Sequence, residues 1–314
     1  MSYDAHFFVY ALTVKMGYGI IFTSAKERMV QMNAANFNKL ITNVLVPIFK
    51  CKYLPCIHIA KLFNRPSEVI SIAGKGVDTQ DDPIYMTAHR GVTSIAPENT
   101  IPAYEESVRL GYYSAECDIQ RTKDGVWVLL HNDTVDKHFC EYGKIKEATF
   151  EEARKYSFKD GSNFWAYEDL KIPTLDEFLD VFVGTDTRPQ IEIKAETYDT
   201  LHEVVDAVVK KGLEDSAIVI SFDLQQLREI HKLNDKIELW YLVGRITEEN
   251  IAEAKSISDD VWLSAHFDQN DKRTIQLALD RGINASYWTV NTVEDAKMVY
   301  DLGVRYIETD ILAK

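Results

Sequence analysis

Several residues that can do acid–base or metal chemistry lie in or at the ends of short apolar runs. Two of these runs end in a histidine, His89 or His131, and two others carry three carboxylates, Glu116, Asp118 and Glu192. Histidine titrates near neutral pH and can therefore transfer protons, while oxygen-only ligands suit Mg²⁺ or Ca²⁺ better than zinc. These residue types together predict metal-assisted hydrolysis of a phosphodiester, which needs a base, an acid and positive charge for the phosphate.

The carboxylates have strand-like spacing. In Glu116-Cys117-Asp118 both acidic side chains point to one face of a strand, because successive strand residues face opposite sides. Glu192 and Lys194 repeat that spacing further along the chain. Three converging carboxylates repel one another unless a cation or a proton intervenes, so this pattern favours a metal site. The alternative is a salt-bridged interior in which Lys194 or Arg90 supplies the counter-charge.

The two histidines can share the proton transfers of the reaction. His89 and His131 end the first and third predicted strands, and two histidines on one rim could act as base and acid. Arg90 follows His89 directly, and its planar guanidinium suits the non-bridging oxygens of a phosphate. The alternatives are structural histidines and a rim salt bridge for Arg90.

The elements that must position these residues alternate between strands and helices from residue 84 onward. The predicted strands are 84–89, 113–119, 126–131, 189–194, 217–222, 237–242, 261–265, 284–290 and 304–308. The predicted helices are 100–110, 147–157, 174–182, 198–211, 223–233, 247–255, 271–281 and 292–301. This alternation predicts an α/β fold, a closed (β/α)₈ barrel of the TIM type, with one of the nine strands accessory or merged.

One connection departs from the regular barrel pattern. The segment from Asp118 to His131 contains the turn Thr122-Lys123-Asp124-Gly125 and leaves no room for a helix. The second and third predicted strands are therefore expected to be joined without a helix.

Seven groups of residues follow one another in a distinctive order. They are Ala88-His89-Arg90-Gly91, Ala96-Pro97-Glu98-Asn99-Thr100, Glu116-Cys117-Asp118, Thr122-Lys123-Asp124-Gly125 followed by His131, Ile172-Pro173-Thr174-Leu175-Asp176, Ile191-Glu192-Ile193-Lys194 and Trp288-Thr289-Val290-Asn291. In these motifs the chain resembles the glycerophosphodiester phosphodiesterase family from residue 84 to residue 314, and the resemblance does not account for residues 1–78. Barrels of the related phospholipase C type also lack the helix after the second strand.

The resemblance implies a barrel enzyme that uses Mg²⁺ or Ca²⁺ to hydrolyse glycerophosphodiesters to glycerol 3-phosphate and an alcohol. It assigns metal ligation to Glu116, Asp118 and Glu192, acid–base work to His89 and His131, phosphate contact to Arg90 and Lys194, and an apolar wall to Trp288. It leaves Glu98 open between a direct metal ligand and a supporting residue. One position departs from the family, which usually has aspartate after the second histidine, where this chain has Asn132.

Other functions on the same barrel stay open at this point. A lysophospholipase D or a phospholipase C acting on membrane lipids is the alternative enzyme, since a basic, apolar N-terminal segment would bring the site to lipids. A non-catalytic, membrane-associated barrel is a further alternative, against which the complete set of ligands and histidines argues.

The first 78 residues differ in charge from the rest of the chain. They carry a net charge of +5, residues 79–314 carry −19, and the total of −14 excludes a typical nucleic-acid-binding protein. We predict a domain boundary near residue 78, after a mainly helical extension that contacts a membrane surface, a second subunit or the barrel. The apolar segment 7–22 contains Lys15 and is short for a membrane span, so we expect a cytoplasmic protein with optional membrane association.

Overall fold

A computed structural model describes residues 68–77, 81–167, 169–195 and 197–314. The predictions for the N-terminal extension, its helices and its membrane or dimer contacts, lie largely outside the described residues, and the boundary near residue 78 stays a prediction. Within the described ranges, no helix is both long enough and apolar enough to cross a bilayer.

The described residues form eleven strands and eight α-helices. The strands are β1 (Ile70–Ser71), β2 (Tyr85–Ala88), β3 (Ser114–Arg121), β4 (Trp127–Leu129), β5 (Arg188–Ile193), β6 (Ile218–Ser221), β7 (Glu238–Val243), β8 (Trp262–His266), β9 (Ala285–Trp288), β10 (Tyr306–Thr309) and β11 (Leu312–Ala313). The helices are α1 (Ile101–Arg109), α2 (Phe150–Ala153), α3 (Leu175–Asp180), α4 (Leu201–Lys210), α5 (Leu224–Leu233), α6 (Glu248–Lys255), α7 (Lys272–Asp280) and α8 (Val293–Asp301).

Eight parallel strands close into a barrel, as predicted. Their order around the ring is β2, β3, β5, β6, β7, β8, β9 and β10, and β10 pairs with β2 to complete it. The register places Asp118 of β3 beside Glu192 of β5, which brings two of the predicted ligands together at one end of the barrel. A short parallel pair lies outside the ring, where β1, ahead of the predicted boundary in sequence, pairs with β11, which follows β10.

The accessory strand among the nine predicted is β4. It runs antiparallel to β3, with Ile119 opposite Leu129, and the connection between them contains no helix. Gly125 has a φ of +88° in this hairpin, a conformation that glycine adopts without steric cost. The hairpin returns the chain to the end of the barrel where the parallel strands finish, so that His131 follows β4 closely.

Apolar residues fill the layer between the barrel and its helices, and a smaller apolar group that includes aromatic rings lies inside the barrel. Inside, Trp240 stacks on Trp262 with ring centroids 5.0 Å apart, and Tyr306 contacts Trp262 edge-on at 4.6 Å. Since Trp262 and Tyr306 begin β8 and β10, these rings close the N-terminal end and leave the opposite end for polar residues.

The predicted helix over residues 147–157 is shorter in the structure, where α2 covers only Phe150–Ala153. Its apolar residues do not pack on the barrel wall. They join a separate cluster with Val128, Leu130 and Phe139, which supports the hairpin and the loop after it. The apolar residues in and just after α2 therefore pack beneath that loop.

Candidate active site

The predicted site residues lie at the C-terminal end of the barrel strands. Glu116 and Asp118 are in β3, Glu192 is in β5 and Trp288 ends β9. The others, which directly follow strands or lie in the adjoining loops, are His89, Arg90, Glu98, His131 and Lys194. The loops at this end of such a barrel carry its catalytic groups.

Three buried carboxylates form the centre of the site. Glu116, Asp118 and Glu192 can each place an oxygen within 4.8 Å of the other two. Oε1 of Glu116 is buried and has no hydrogen-bond partner among the described residues. Burial and the charges of Asp118 and Glu308 raise the pKa of Glu116, and burial and Asp118 raise the pKa of Glu192 to about 7. This cluster of oxygen ligands suits a divalent cation.

Two cations lie beside the carboxylates. Nζ of Lys194 is 2.7 Å from Oε1 of Glu192 and 3.4 Å from Oδ1 of Asp118, and Nε of Arg90 is 3.3 Å from Oδ2 of Asp118. Although burial raises the pKa of Asp118, these two cations lower it overall. The salt bridges of the alternative interpretation therefore exist, yet neither cation forms an ion pair with Glu116 in the described part of the chain.

His89 lies between two further carboxylates, both on or next to β10. Its Nδ1 is 2.7 Å from Oδ1 of Asp310, and its Nε2 is 3.7 Å from Oε1 of Glu308. Burial lowers the pKa of His89, but the hydrogen bond to Asp310 and the charge of Glu308 outweigh it and raise the pKa. Glu308 also accepts a hydrogen bond from Nε2 of Gln190 at 3.3 Å.

His131 has an amide as its partner where His89 has a carboxylate. Its Nδ1 is 2.7 Å from Oδ1 of Asn132, whereas the neighbouring Asp133 is exposed. Burial lowers the pKa of His131, and the positive charges of Arg90 and Lys194 act in the same direction. The two predicted acid–base residues therefore have different electrostatic surroundings.

The backbone turns sharply after His89. Arg90 has a φ of +58°, and its amide donates to Oε2 of Glu116 at 2.9 Å. At Gly91 a Cβ atom would lie 2.6 Å from Cβ of Ala103, too close for any other residue without a shift. The His89-Arg90-Gly91 motif thus lets the main chain pass against α1 and donate to a carboxylate of the central cluster.

Glu98 lies among basic side chains rather than among carboxylates. Its Oε1 is 2.9 Å from Nε2 of His138, 3.2 Å from Nζ of Lys137 and 3.3 Å from Nη1 of Arg90. Burial raises the pKa of Glu98, but these neighbours lower it overall. The described residues form two groups of potential metal ligands, one of Glu116, Asp118 and Glu192 and the other of His89, Glu116 and Glu308, and Glu98 belongs to neither. This geometry favours the supporting role, through Arg90, over direct ligation.

An aromatic group lies across the barrel end. Trp288 contacts Phe222 edge-on at 6.1 Å and His266 at 4.6 Å between ring centroids. Phe222, which directly follows β6, is 52% exposed. A cleft of about 570 Å³ is lined by His89, Arg90, Thr93, Ser94, Glu98, Asn291, Asp310 and Ile311.

Among the described residues, several that contribute to the site were not predicted. They include Asn99, His138, Phe222, Asn291, Glu308 and Asp310. Asn99 and Asn291 belong to motifs that the sequence displays, and Glu308-Thr309-Asp310 repeats the spacing of Glu116-Cys117-Asp118 at a predicted strand end. This repeated spacing could have identified Glu308 and Asp310 from the sequence. His138 follows the accessory strand in an irregular segment, and no periodic pattern marks it.

Comparison with known proteins gives consistent matches. The model of the glycerophosphoryl diester phosphodiesterase family matches residues 89–314. A glycerophosphodiester phosphodiesterase of Caldanaerobacter subterraneus is 33% identical over 235 residues, covering 72% of this chain and 93% of that protein. A glycerophosphodiester phosphodiesterase of Bacillus subtilis is 27% identical over 261 residues, covering 77% and 88%.

Solved structures show the same fold. A phosphodiesterase of Oleispira antarctica, in complex with the product sn-glycerol-3-phosphate, aligns with a TM-score of 0.63 at 23% identity, covering 72% of this chain and 92% of that one. A glycerophosphodiester phosphodiesterase of Thermotoga maritima aligns with a TM-score of 0.55 at 25% identity, covering 72% and 94%.

Proposed function

Since the chain belongs to the glycerophosphoryl diester phosphodiesterase family, we propose that it hydrolyses glycerophosphodiesters to glycerol 3-phosphate and an alcohol. The observation that carries this proposal is the clustering of three buried carboxylates at the barrel end that also holds two histidines. The enzymatic activity of the named relatives, and the glycerol 3-phosphate bound to the Oleispira enzyme, support the same reaction.

Glu116, Asp118 and Glu192 would hold a divalent cation, either Mg²⁺ or Ca²⁺. The buried, unpartnered Oε1 of Glu116 supports this assignment, because an ionised carboxylate in a buried site needs a positive partner. When bound, the cation supplies positive charge that offsets the carboxylates and the phosphate as the phosphorus becomes five-coordinate.

Arg90 and Lys194 would bind the non-bridging phosphate oxygens. Both are partly exposed, with side-chain exposures of 15% and 21%, and each already faces Asp118. The phosphate would thus be held between these cations and the carboxylate cluster. Trp288, supported by Phe222, would form an apolar wall for the glycerol or head-group carbons.

His89 and His131 would carry out the proton transfers. One imidazole removes the proton from the attacking oxygen, of water or of the glycerol 2-hydroxyl. The phosphorus–oxygen bond to the alcohol then breaks, and the other imidazole donates its proton to the leaving oxygen. If the 2-hydroxyl attacks, a cyclic phosphate forms first, and water opens it in a second step with the two roles exchanged.

A second candidate activity is hydrolysis of lysophospholipids, by a lysophospholipase D or phospholipase C reaction. The observation that favours it is Phe222, an exposed aromatic side chain in contact with Trp288 beside the site. An acyl chain on the glycerol unit would lie along this surface. The net charge of +5 on residues 1–78 supports contact of this segment with an anionic membrane. The alternative proposal for the same segment is that it forms a homodimer contact.

The test is release of glycerol 3-phosphate from glycerophosphocholine, glycerophosphoethanolamine and glycerophosphoglycerol, with Mg²⁺, with Ca²⁺ and with EDTA. Glu116→Gln should abolish release, whereas Glu249→Gln, which changes an exposed carboxylate on α6, should leave it unchanged. A rate that is the same in EDTA as in Mg²⁺ and Ca²⁺ would contradict the metal assignment. Turnover of lysophospholipids alone would favour the second candidate.

A further inference from the structure

We propose that Asp310 is a positioning residue for His89, holding the proton on Nδ1 so that Nε2 is the nitrogen that exchanges protons with the substrate. This inference rests on the proposed function, in which His89 transfers a proton. Nδ1 of His89 lies 2.7 Å from Oδ1 of Asp310. An ionised carboxylate can only accept a hydrogen bond, so the nitrogen that faces it must be the one carrying hydrogen.

Asp310 is itself held from two sides. Nδ2 of Asn291 donates to Oδ2 of Asp310 at 2.7 Å, and the backbone amide of Asp310 donates to Oδ1 of Asn291 at 2.8 Å. Thr93 donates its hydroxyl to the carbonyl of Asp310 at 3.3 Å. Because the backbone amide and Oδ2 of Asp310 are both hydrogen-bonded, rotation of the carboxylate is restricted, and Oδ1 faces Nδ1 of His89.

The backbone of His89 is fixed against the same strand. Its amide donates to the carbonyl of Thr309 at 3.0 Å, and the preceding Ala88 pairs with Thr309 in the barrel register. His89 is therefore hydrogen-bonded to β10 through its backbone amide and to the residue after β10 through one ring nitrogen. The ring also lines the 570 Å³ cleft, where a substrate could reach it.

A purely structural role for Asp310 would predict a different outcome of mutation. Its side chain is 39% exposed, and ion pairs at that exposure contribute little to stability. A carboxylate that orients a catalytic imidazole instead affects the rate, since a correctly protonated histidine contributes about 10²- to 10⁴-fold. Removing the carboxylate should therefore lower the reaction rate and leave the free energy of unfolding nearly unchanged.

The decisive measurement is the tautomer of His89, read from the ring nitrogens by NMR of protein labelled with ¹⁵N-histidine. The chain has eight histidines, so the His89 signals are assigned by their loss in His89→Gln. In the neutral wild-type ring we expect hydrogen on Nδ1 and a bare Nε2. In Asp310→Asn the amide can donate to Nδ1, so the bare nitrogen should shift to Nδ1.

Kinetics supply the second readout. Asp310→Asn should lower kcat by about 10²- to 10⁴-fold with little change in KM, while Asp206→Asn, an exposed carboxylate on α4, should match the wild type. Asn291→Ala keeps the carboxylate of Asp310 but removes the hydrogen bond that holds it. This variant should give a smaller loss of kcat together with a mixture of His89 tautomers.

Two results would overturn the inference. One is hydrogen on Nε2 of neutral wild-type His89, a result that does not require an Asp310 variant to fold. The other is a wild-type kcat in a folded Asp310→Asn protein. If the wild-type enzyme hydrolysed no glycerophosphodiester, the proposed function would fail. The NMR measurement would still show whether Asp310 determines the tautomer of His89.

Discussion

The side-chain amide of Asn99 donates to Oδ2 of Asp118 at 2.8 Å, and its carbonyl oxygen accepts from the backbone amide of Asp118 at 3.1 Å. The same oxygen accepts from the hydroxyl of Tyr104 at 2.9 Å. Asn99 has a φ of +55°, a conformation that asparagine tolerates better than most residues. One buried side chain therefore fixes both the backbone and the carboxylate of a candidate metal ligand.

Asn99→Gly should weaken cation binding. Glycine suits the positive φ, so the change removes the two hydrogen bonds to Asp118 without adding backbone strain. Loss of a residue that orients a metal ligand typically costs about 10- to 100-fold in metal affinity. We expect that increase in the Kd for Mg²⁺ and Ca²⁺ by titration calorimetry, and a decrease of about 1–3 kcal/mol in the free energy of unfolding in urea.

Asn163→Gly is the matched control for that change. Asn163 also has a positive φ, of 53°, and its amide donates to the carbonyl of Ile95 at 2.8 Å. It does not belong to the carboxylate cluster. Its replacement should lower stability without altering the Kd for cations, and an equal loss of affinity in both variants would refute a specific role for Asn99.

Cation affinity should depend on pH through Glu192. Burial and the charge of Asp118 raise its pKa to about 7, so in the cation-free protein this carboxylate gains a proton as the pH falls through 7. A cation must displace that proton, so Glu192 should raise the Kd by up to about tenfold per pH unit below 7. Calorimetry in two buffers of different ionisation enthalpy measures the protons released.

The matched variant here is Glu192→Gln, which cannot release a proton from this position. It should bind the cation weakly, and fewer protons should be released near pH 7 than from the wild type. Equal proton release from both proteins would show that another group, such as Glu116, accounts for the pH dependence.

The barrel and its central carboxylates could be predicted from the sequence because each depends on a local pattern. Period-two spacing placed Glu116 and Asp118 on one face, and the short hairpin after β3 followed from the turn at Gly125. The roles of Asp310 and Glu98 depend instead on partners far along the chain, His89 and His138, whose approach is set by the closed barrel and an irregular loop. Spacing within a single strand carries no information about such contacts.

Phe222→Ser should distinguish the two candidate activities. Removing the exposed ring takes away the apolar surface beside Trp288 without touching the carboxylate cluster. We expect kcat/KM for a lysophospholipid to fall about tenfold or more, the equivalent of one lost aromatic contact, and that for glycerophosphocholine to change little. Val183→Ser changes another apolar side chain that is 50% exposed and should affect neither substrate. A parallel loss on both substrates would mean that Phe222 serves only to support Trp288.

Asn132→Asp should raise the pKa of His131 and reveal which proton transfer it performs. Nδ1 of His131 lies 2.7 Å from Oδ1 of Asn132, so the variant would place a negative charge beside the ring with little change in shape. In the wild type, burial lowers this pKa, with Arg90 and Lys194 acting in the same direction. An adjacent carboxylate favours the charged imidazolium and should move the pKa upward by about 1–2 units.

The pH dependence of kcat/KM measures this shift. If His131 is the base, it must be neutral, and the acidic limb of the profile should move to higher pH. If it is the acid, it must be charged, and the alkaline limb should move in the same direction. Asp133→Asn, which removes the exposed neighbouring carboxylate, should leave both limbs in place. A profile for Asn132→Asp that superimposes on the wild type at both limbs would remove His131 from the proton transfers, because a charge beside its ring must alter its titration.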